Sequence, residues 1–325
     1  MITGYCQTPL KQETITMSIA IIFNNKDPQI WRRALEEKIK DTLVEIYPDI
    51  RDKEKVDFIL CWKPAVGVIS EFPNVKVIQS VGASAEHILN SQKLDASIML
   101  TRIVDERLSV DMFEFLLSVI LFKLKNIDSY ITGQSNKIWD PVKYRSIENT
   151  VVTILGLGKI GGYVAGRLSE LNFKVKGWSD SKKEIGGVQC FHGKTGYADA
   201  LQGSDFLLNI LPLTPDTRDI LDFSSLSLLR KGAVLINVGR GEHLVDEDLI
   251  KVLDSKHLSG AVLDVFREEP LPQEHPFWLN PHITITPHIA SLTNVGTAAD
   301  LVVDNYYRLV NCQELLHIVS HSKGY

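Results

Sequence analysis

The 325-residue sequence has little that would mark a secreted, membrane-bound or nucleic-acid-binding chain. Its four cysteines, Cys6, Cys61, Cys190 and Cys312, include no C-x-x-C pair and form no cluster with histidine at zinc-ligand spacing. Free thiols in a reducing compartment are therefore expected, and with them a cytoplasmic setting and no metal site. No apolar run approaches the ~18 residues of a membrane span. Residues 1–16 lack the apolar stretch of a secretory signal and the arginine richness of a transit peptide. They read either as a floppy, disordered extension or as an upstream start ahead of Met17. With 35 basic and 40 acidic side chains the net charge is −5, so no global attraction to nucleic acid or anionic lipid exists, although a local basic patch stays open. Internal repeats and low-complexity tracts are absent. What remains is ordinary globular composition, 44% apolar and 23% charged, at a length suited to about two domains. Such a chain can bury a core without disulfide or metal staples.

Short apolar runs alternate with longer amphipathic stretches. The strand candidates are Ile19–Phe23, Phe58–Trp62, Val75–Ser80, Val151–Leu155, Lys174–Trp178, Phe206–Ile210, Val234–Val238, Gly260–Val265 and Ile283–Thr286. Asp111–Asn126 and Asn294–Cys312 have helical character. Ile160, Val164, Leu168 and Leu171 would share one helix face. This alternation predicts an α/β protein with parallel sheets, its strands in one group before about residue 100 and another from Val151.

The most informative stretch is VVTILGLGKIGGYVAGRL. A strand runs into Gly156-Leu157-Gly158-Lys159-Ile160-Gly161 and then into an amphipathic helix. Gly156 suits the tight turn, Gly158 allows a pyrophosphate to approach the backbone, and Gly161 allows helix and strand to pack closely. The helix N-terminus then offers N–H groups and a positive dipole end. A purely structural glycine turn is the plain alternative; the flanking strand and helix favour dinucleotide binding. After the next strand come Ser179, Asp180, Ser181, Lys182 and Lys183. Asp180 would suit the ribose hydroxyl of NAD, one step later than expected. The serines and lysines would suit the 2′-phosphate of NADP and tilt the reading that way. A solvated surface turn is the third possibility.

Three further strands end in polar residues: Arg240 after Val238-Gly239, Glu269 beyond Asp264, and His288 after Pro287. In an open parallel sheet, ligands bind outside the strand carboxyl ends. If these strands share a sheet with the glycine turn, the trio converges beside a dinucleotide. Singly, a loop arginine, an acidic pair and a histidine after proline are more often structural. Together they suit reduction of a 2-keto acid. Arg240 would grip the carboxylate with its planar fork. His288 would protonate the carbonyl oxygen, and Glu269 would fix the imidazole tautomer.

GLGKIG, LLNILPLTPDTRDIL, GAVLINVGRG, LSGAVLDVFREEPLP and ITPHIASLT, in that order and with 29 residues from Arg240 to Glu269 and 19 to His288, resemble the D-isomer-specific 2-hydroxyacid dehydrogenases over roughly residues 17–325. VDFILCWKP, VKVIQSVGASAEHIL, GWSDSKK, the EEPLPQEHPFW run and Lys323-Gly324-Tyr325 are similar to the glyoxylate/hydroxypyruvate reductase A branch. The resemblance implies two doubly wound parallel-sheet lobes, with a Rossmann-like cofactor lobe inserted into the substrate lobe and a cleft between them. The substrate-binding domain would be 17–104 plus 291–325, and the dinucleotide-binding domain 105–290. A homodimer built through the cofactor lobes is implied, with NADP or NAD as cofactor and glyoxylate or hydroxypyruvate as substrate. Gly156, Gly158, Lys159, Ile160 and Gly161 would hold the pyrophosphate, Leu211 and Pro212 would line the cofactor cleft, and Asp264 would meet the nicotinamide carboxamide. Gly82, Ala83 and Ser84 would hold the substrate carboxylate through backbone amides, and Trp62 would close the pocket. Two residues depart from the pattern: Ser84 replaces a glycine, and Asp180 stands where NADP-using reductases of the branch carry a basic residue. Another 2-keto acid and, in a different class, a non-catalytic dinucleotide sensor are the alternative readings.

Overall fold

The computed structural model describes residues 17–320, so the expected extension 1–16 and the closing Lys323-Gly324-Tyr325 lie outside the described residues. The chain divides into two compact units. One runs to Ile103 and resumes at Val295; the other, Val104–Asn294, is inserted into it.

The first unit holds five parallel strands among the described residues: β1 (Ser18–Phe23), β2 (Leu43–Ile46), β3 (Val56–Trp62), β4 (Val77–Ser80) and β5 (Met99–Thr101), in the order β2-β1-β3-β4-β5. The central strands are buried on both faces, as their unbroken Ile/Val/Leu runs require. The Val295–Val310 helix belongs here. Its buried Asn305 donates to Gln79 Oε1 on β4 (2.9 Å) and accepts from the backbone N–H of Leu316 (2.8 Å), tying the end of the chain to the sheet. Its apolar face, Ala298, Ala299, Val302 and Tyr306, is buried too, with Tyr306 edge-on to Phe58 of β3; periodicity reveals such a face but not which unit receives it.

The inserted unit holds seven parallel strands: β6 (Val151–Leu155), β7 (Lys174–Ser179), β8 (Val188–His192), β9 (Phe206–Asn209), β10 (Ala233–Asn237), β11 (Leu258–Leu263) and β12 (Ile283–Ile285). Their order, β12-β11-β10-β9-β6-β7-β8, is that of a doubly wound dinucleotide-binding sheet, with the reversal of strand order between β6 and β9. Leu155 pairs in register with Asn209, Asn209 with Asn237, Asn237 with Leu263, and Leu263 with Ile285. Five strands therefore terminate along one row, and the residues that follow them emerge at one sheet edge.

Local expectations differ in three places. The helix after β6 spans Lys159–Glu170 and buries Val164 and Leu168, but Leu171 is its C-cap and is exposed, because the helix stops before Leu171 can join the face. The helix expected at Asp111–Asn126 starts earlier, at Glu106, where the Asp105 carboxylate accepts the N–H of Arg107 (2.8 Å) as an N-cap. Ile127–Ser135 forms a further helix whose side chains are not buried.

Candidate active site

At the edge of the inserted sheet, the turn after β6 takes the conformation its glycines permit. Gly156 has φ +102° and lies so close to the Ile210 carbonyl that a Cβ would fall 2.8 Å from its oxygen. A Cβ on Gly161 would fall 1.8 Å from the Gly156 oxygen, so helix and turn can approach only with glycine there. A Cβ on Gly158, by contrast, would enter open space, which leaves a dinucleotide pyrophosphate room to reach the backbone. Lys159 and Ile160 begin the helix, and no acidic residue stands in its first turn to oppose an anion. These residues fit a dinucleotide.

Beyond β7, Ser179 is buried at the strand end and its hydroxyl donates to the Ser181 carbonyl (2.8 Å). Asp180 is exposed just past it. Lys182 and Lys183 are exposed too, and Lys182 pairs with Glu184 at 2.9 Å. An exposed pair of this kind contributes at most about 1 kcal/mol and yields readily to a phosphate. After β9, Leu211 points its side chain into the core, while the Pro212 carbonyl accepts from the Thr217 hydroxyl (2.8 Å).

Glu269 and His288, 19 residues apart in sequence, meet side to side. His288 Nδ1 lies 2.9 and 3.1 Å from the two carboxylate oxygens. An ionised carboxylate only accepts, so Nδ1 carries the proton and Nε2 is the ring's exchangeable position. Glu269 Oε1 also accepts the Phe266 N–H (3.2 Å), which orients it. His288 sits at φ +55°, a left-handed conformation that costs a β-carbon-bearing residue free energy. Asp264 holds the surrounding loop in place. Its buried carboxylate accepts from the Thr286 hydroxyl (2.5 Å), the Ile289 N–H (2.9 Å) and the Ala290 N–H (2.9 Å), bracketing His288 on both sides.

Arg240 follows β10. Its Nη1 donates to the Gly239 carbonyl (2.6 Å). The adjacent Gly241 is pressed against the Phe266–Arg267 backbone, with a Cβ there falling 1.9 Å from the Phe266 carbonyl carbon, so the arginine loop abuts the loop bearing Glu269.

In the other unit, the loop after β4 is braced from behind. The Gly82 carbonyl accepts from the Ile103 N–H (3.0 Å), the Ala83 carbonyl from Arg102 Nη1 (2.8 Å) and the Ser84 carbonyl from the Ser80 hydroxyl (2.6 Å). The Gly82 N–H is engaged inside the unit as well, donating to the Ser80 hydroxyl (3.2 Å). Trp62, at the end of β3, packs over Gly82, and the Lys26 ammonium lies 4.3 Å from the centre of the Trp62 indole.

Residues 117–290 match the family model described as D-isomer specific 2-hydroxyacid dehydrogenase, NAD binding domain. The chain belongs to the D-isomer specific 2-hydroxyacid dehydrogenase family. Among family members, it is 36% identical over 300 residues to the glyoxylate/hydroxypyruvate reductase A of Serratia proteamaculans, covering 91% of this chain and 96% of that protein. It is similar to a D-isomer specific 2-hydroxyacid dehydrogenase of Xanthobacter autotrophicus solved with NADPH and MES, at 33% identity and TM-score 0.90, covering 95% of this chain and 100% of that one. An NADPH-dependent glyoxylate/hydroxypyruvate reductase of Sinorhizobium meliloti, solved with NADP and sulfate, aligns at 32% identity and TM-score 0.89 with the same coverage.

Against this family background, sequence reasoning missed several side chains. Arg102 and Lys26 sit outside the Gly82–Ser84 motif, and only the fold brings Arg102 to the Ala83 carbonyl and Lys26 over Trp62. Asn209, Asn237 and His243 are fully buried polar residues, the asparagines at the ends of apolar strands and the histidine in the turn Gly241–His243. The available signal was the asparagine closing FLLN and AVLIN, since a polar side chain at the end of a buried strand must find partners.

Proposed function

We propose that this dehydrogenase reduces glyoxylate or hydroxypyruvate to the corresponding 2-hydroxy acid, with NADPH preferred over NADH. The names of the similar reductases and the NADP bound in their solved structures support the substrate class and the cofactor. The observation that carries the chemistry is the Glu269–His288 pair standing at the same sheet edge as the open Gly158 turn.

A reduced nicotinamide, when bound, supplies the hydride. His288, hydrogen-bonded to Glu269 through Nδ1, donates an Nε2 proton to the substrate oxygen as that oxygen gains charge, and recovers it in the reverse direction. Glu269 stabilises the imidazolium and prevents rotation of the ring. Arg240 holds the substrate carboxylate in a bidentate contact. Asp264 serves the nicotinamide amide through the acceptor capacity its three donors leave, and Pro212 lines the dinucleotide path with the backbone of Leu211. The unit carrying Gly82–Ser84 is the substrate domain, and the inserted unit is the dinucleotide domain.

The proposal includes a homodimer and a cytoplasmic setting. Dimerisation is supported by the exposed apolar arm of Tyr130, Ile131, Ile138, Trp139, Val142 and Tyr144, in which Trp139 is 99% exposed. The setting is supported by Cys61, Cys190 and Cys312, which are free thiols, and by the described helices, none of which is long and apolar enough to cross a membrane.

The test is loss of nicotinamide absorbance with NADPH and NADH against a panel of keto acids, one of them phosphorylated, for wild type and His288→Ala. Turnover with glyoxylate or hydroxypyruvate, reduced about 10²–10⁴-fold in the variant while NADPH still binds, is the expected result. Near-normal turnover in the variant refutes the role of His288, and no turnover of any keto acid by wild type favours the sensor reading.

A further inference from the structure

Between the ends of β9 and β10 the inserted unit buries three polar side chains, Asn209, Asn237 and His243, each at 0% exposure. Placing polar groups there is costly unless every one is matched. The Arg240 backbone N–H donates to His243 Nδ1 (3.1 Å), so that nitrogen is unprotonated. His243 Nε2 therefore carries the hydrogen and donates it to the Pro212 carbonyl (3.2 Å). Asn209 Nδ2 donates to both His243 Nδ1 (2.8 Å) and Asn237 Oδ1 (2.8 Å), and Asn209 Oδ1 accepts the Leu211 N–H (3.3 Å). Asn237 Oδ1 also accepts the Gly239 N–H (3.2 Å), and its Nδ2 donates to the Arg240 carbonyl (3.0 Å).

Both backbone polar groups of Arg240 therefore end on this network, and so does the N–H of the residue before it. A guanidinium that must grip a carboxylate in one geometry needs a main chain that does not drift, and an apolar filling would supply no direction. We propose that His243 is a positioning residue for Arg240: its unprotonated Nδ1 fixes the main chain from which the substrate-binding guanidinium extends, and its Nε2–H couples that strand end to Pro212 on the neighbouring one. This inference rests on the reading of Arg240 as the ligand of the substrate carboxylate.

Two substitutions separate the two nitrogens. Asparagine can place an acceptor where Nδ1 stands, whereas glutamine can place a donor where Nε2 stands and leaves the Arg240 N–H without its acceptor. Steady-state kinetics with glyoxylate and NADPH on His243→Asn, His243→Gln and Arg240→Ala provide the test. The expected result is a rise of about tenfold in the KM for glyoxylate in His243→Gln, a clearly smaller rise in His243→Asn, and little change in the KM for NADPH. Equal rises in the two His243 variants, or a loss confined to melting temperature, overturn the inference while leaving the role of Arg240 intact. An unchanged glyoxylate KM in Arg240→Ala removes the Arg240 reading and this inference with it. Should His243→Gln not fold, Asn237→Ser, which releases the Arg240 carbonyl, must raise the glyoxylate KM in the same way; an unchanged KM there overturns the proposal.

Discussion

Replacing Asp264 by asparagine changes one atom in a buried carboxylate and tests how the His288 loop is held. Oδ1 accepts from the Thr286 hydroxyl and the Ile289 N–H, and Oδ2 accepts from the Ala290 N–H. In Asp264→Asn the amide nitrogen takes one of these positions. Facing Ala290 it sets donor against donor, and the two bonds left on oxygen lose their charge assistance. A hydrogen bond to a charged group contributes about 1.5–3 kcal/mol against about 1 for a neutral one. Losing one bond and weakening two sums to roughly 3–6 kcal/mol, from which relief of the buried charge returns part. The expected net is about 2–4 kcal/mol, or roughly 5–15 °C in melting temperature for a unit of this size. The second consequence falls on His288. Its left-handed backbone at φ +55° has Asp264 bonds on both sides to hold it, and once these weaken the imidazole drifts. A displacement of about 1 Å at a reacting group can cost about 10²-fold in rate. Differential scanning fluorimetry and turnover of glyoxylate with saturating NADPH read the two effects. A variant melting within about 1 °C of wild type, with turnover within about twofold, would show that the three bonds do not hold the loop.

Other perturbations test other parts of the molecule. Lys182→Glu removes a cation from the turn after β7 and should raise the KM for NADPH several-fold more than that for NADH; an unchanged ratio of the two removes this turn from cofactor selection. Trp139→Glu places a charge in the middle of the exposed apolar arm and should convert a dimer to monomers in analytical ultracentrifugation, whereas an unchanged sedimentation coefficient dissociates the arm from assembly. Burial pushes the Cys61 thiol well above its ordinary value, so iodoacetamide at neutral pH should label exposed Cys312 and spare Cys61 until the protein unfolds. Labelling of both at similar rates in peptide mass spectrometry would contradict this burial.

The strands that periodicity located are mainly those in sheet interiors, where burial on two faces writes an uninterrupted apolar run. Val151–Leu155 appears with the expected bounds. The three strands not anticipated, β2, β5 and β8, all lie at sheet edges. An edge strand has one neighbour and buries less, so LVEI, MLT and VQCFH carry weak patterns. Ile127–Ser135 escaped for a related reason: its apolar residues face outward, so no core periodicity marks it. At the candidate site, the glycine turn, Arg240, Glu269 and His288 could be picked out because each residue type is chemically unusual at the end of a strand. The way they are supported could not. Asp264, Asn237 and His243 act largely through bonds to main-chain groups, and which main-chain group a buried polar side chain will meet leaves no signature in the residue alphabet.

The shared row of strand ends makes the chemistry depend on arithmetic. Deleting one residue within β10 would pull Arg240 back by about 3.3 Å and turn every side chain after the cut to the opposite face. Lengthening a connection at the far edge of the sheet would leave that count untouched. Insertions and deletions across a strand should therefore abolish turnover before they abolish folding, while the remote loops are free to vary in length.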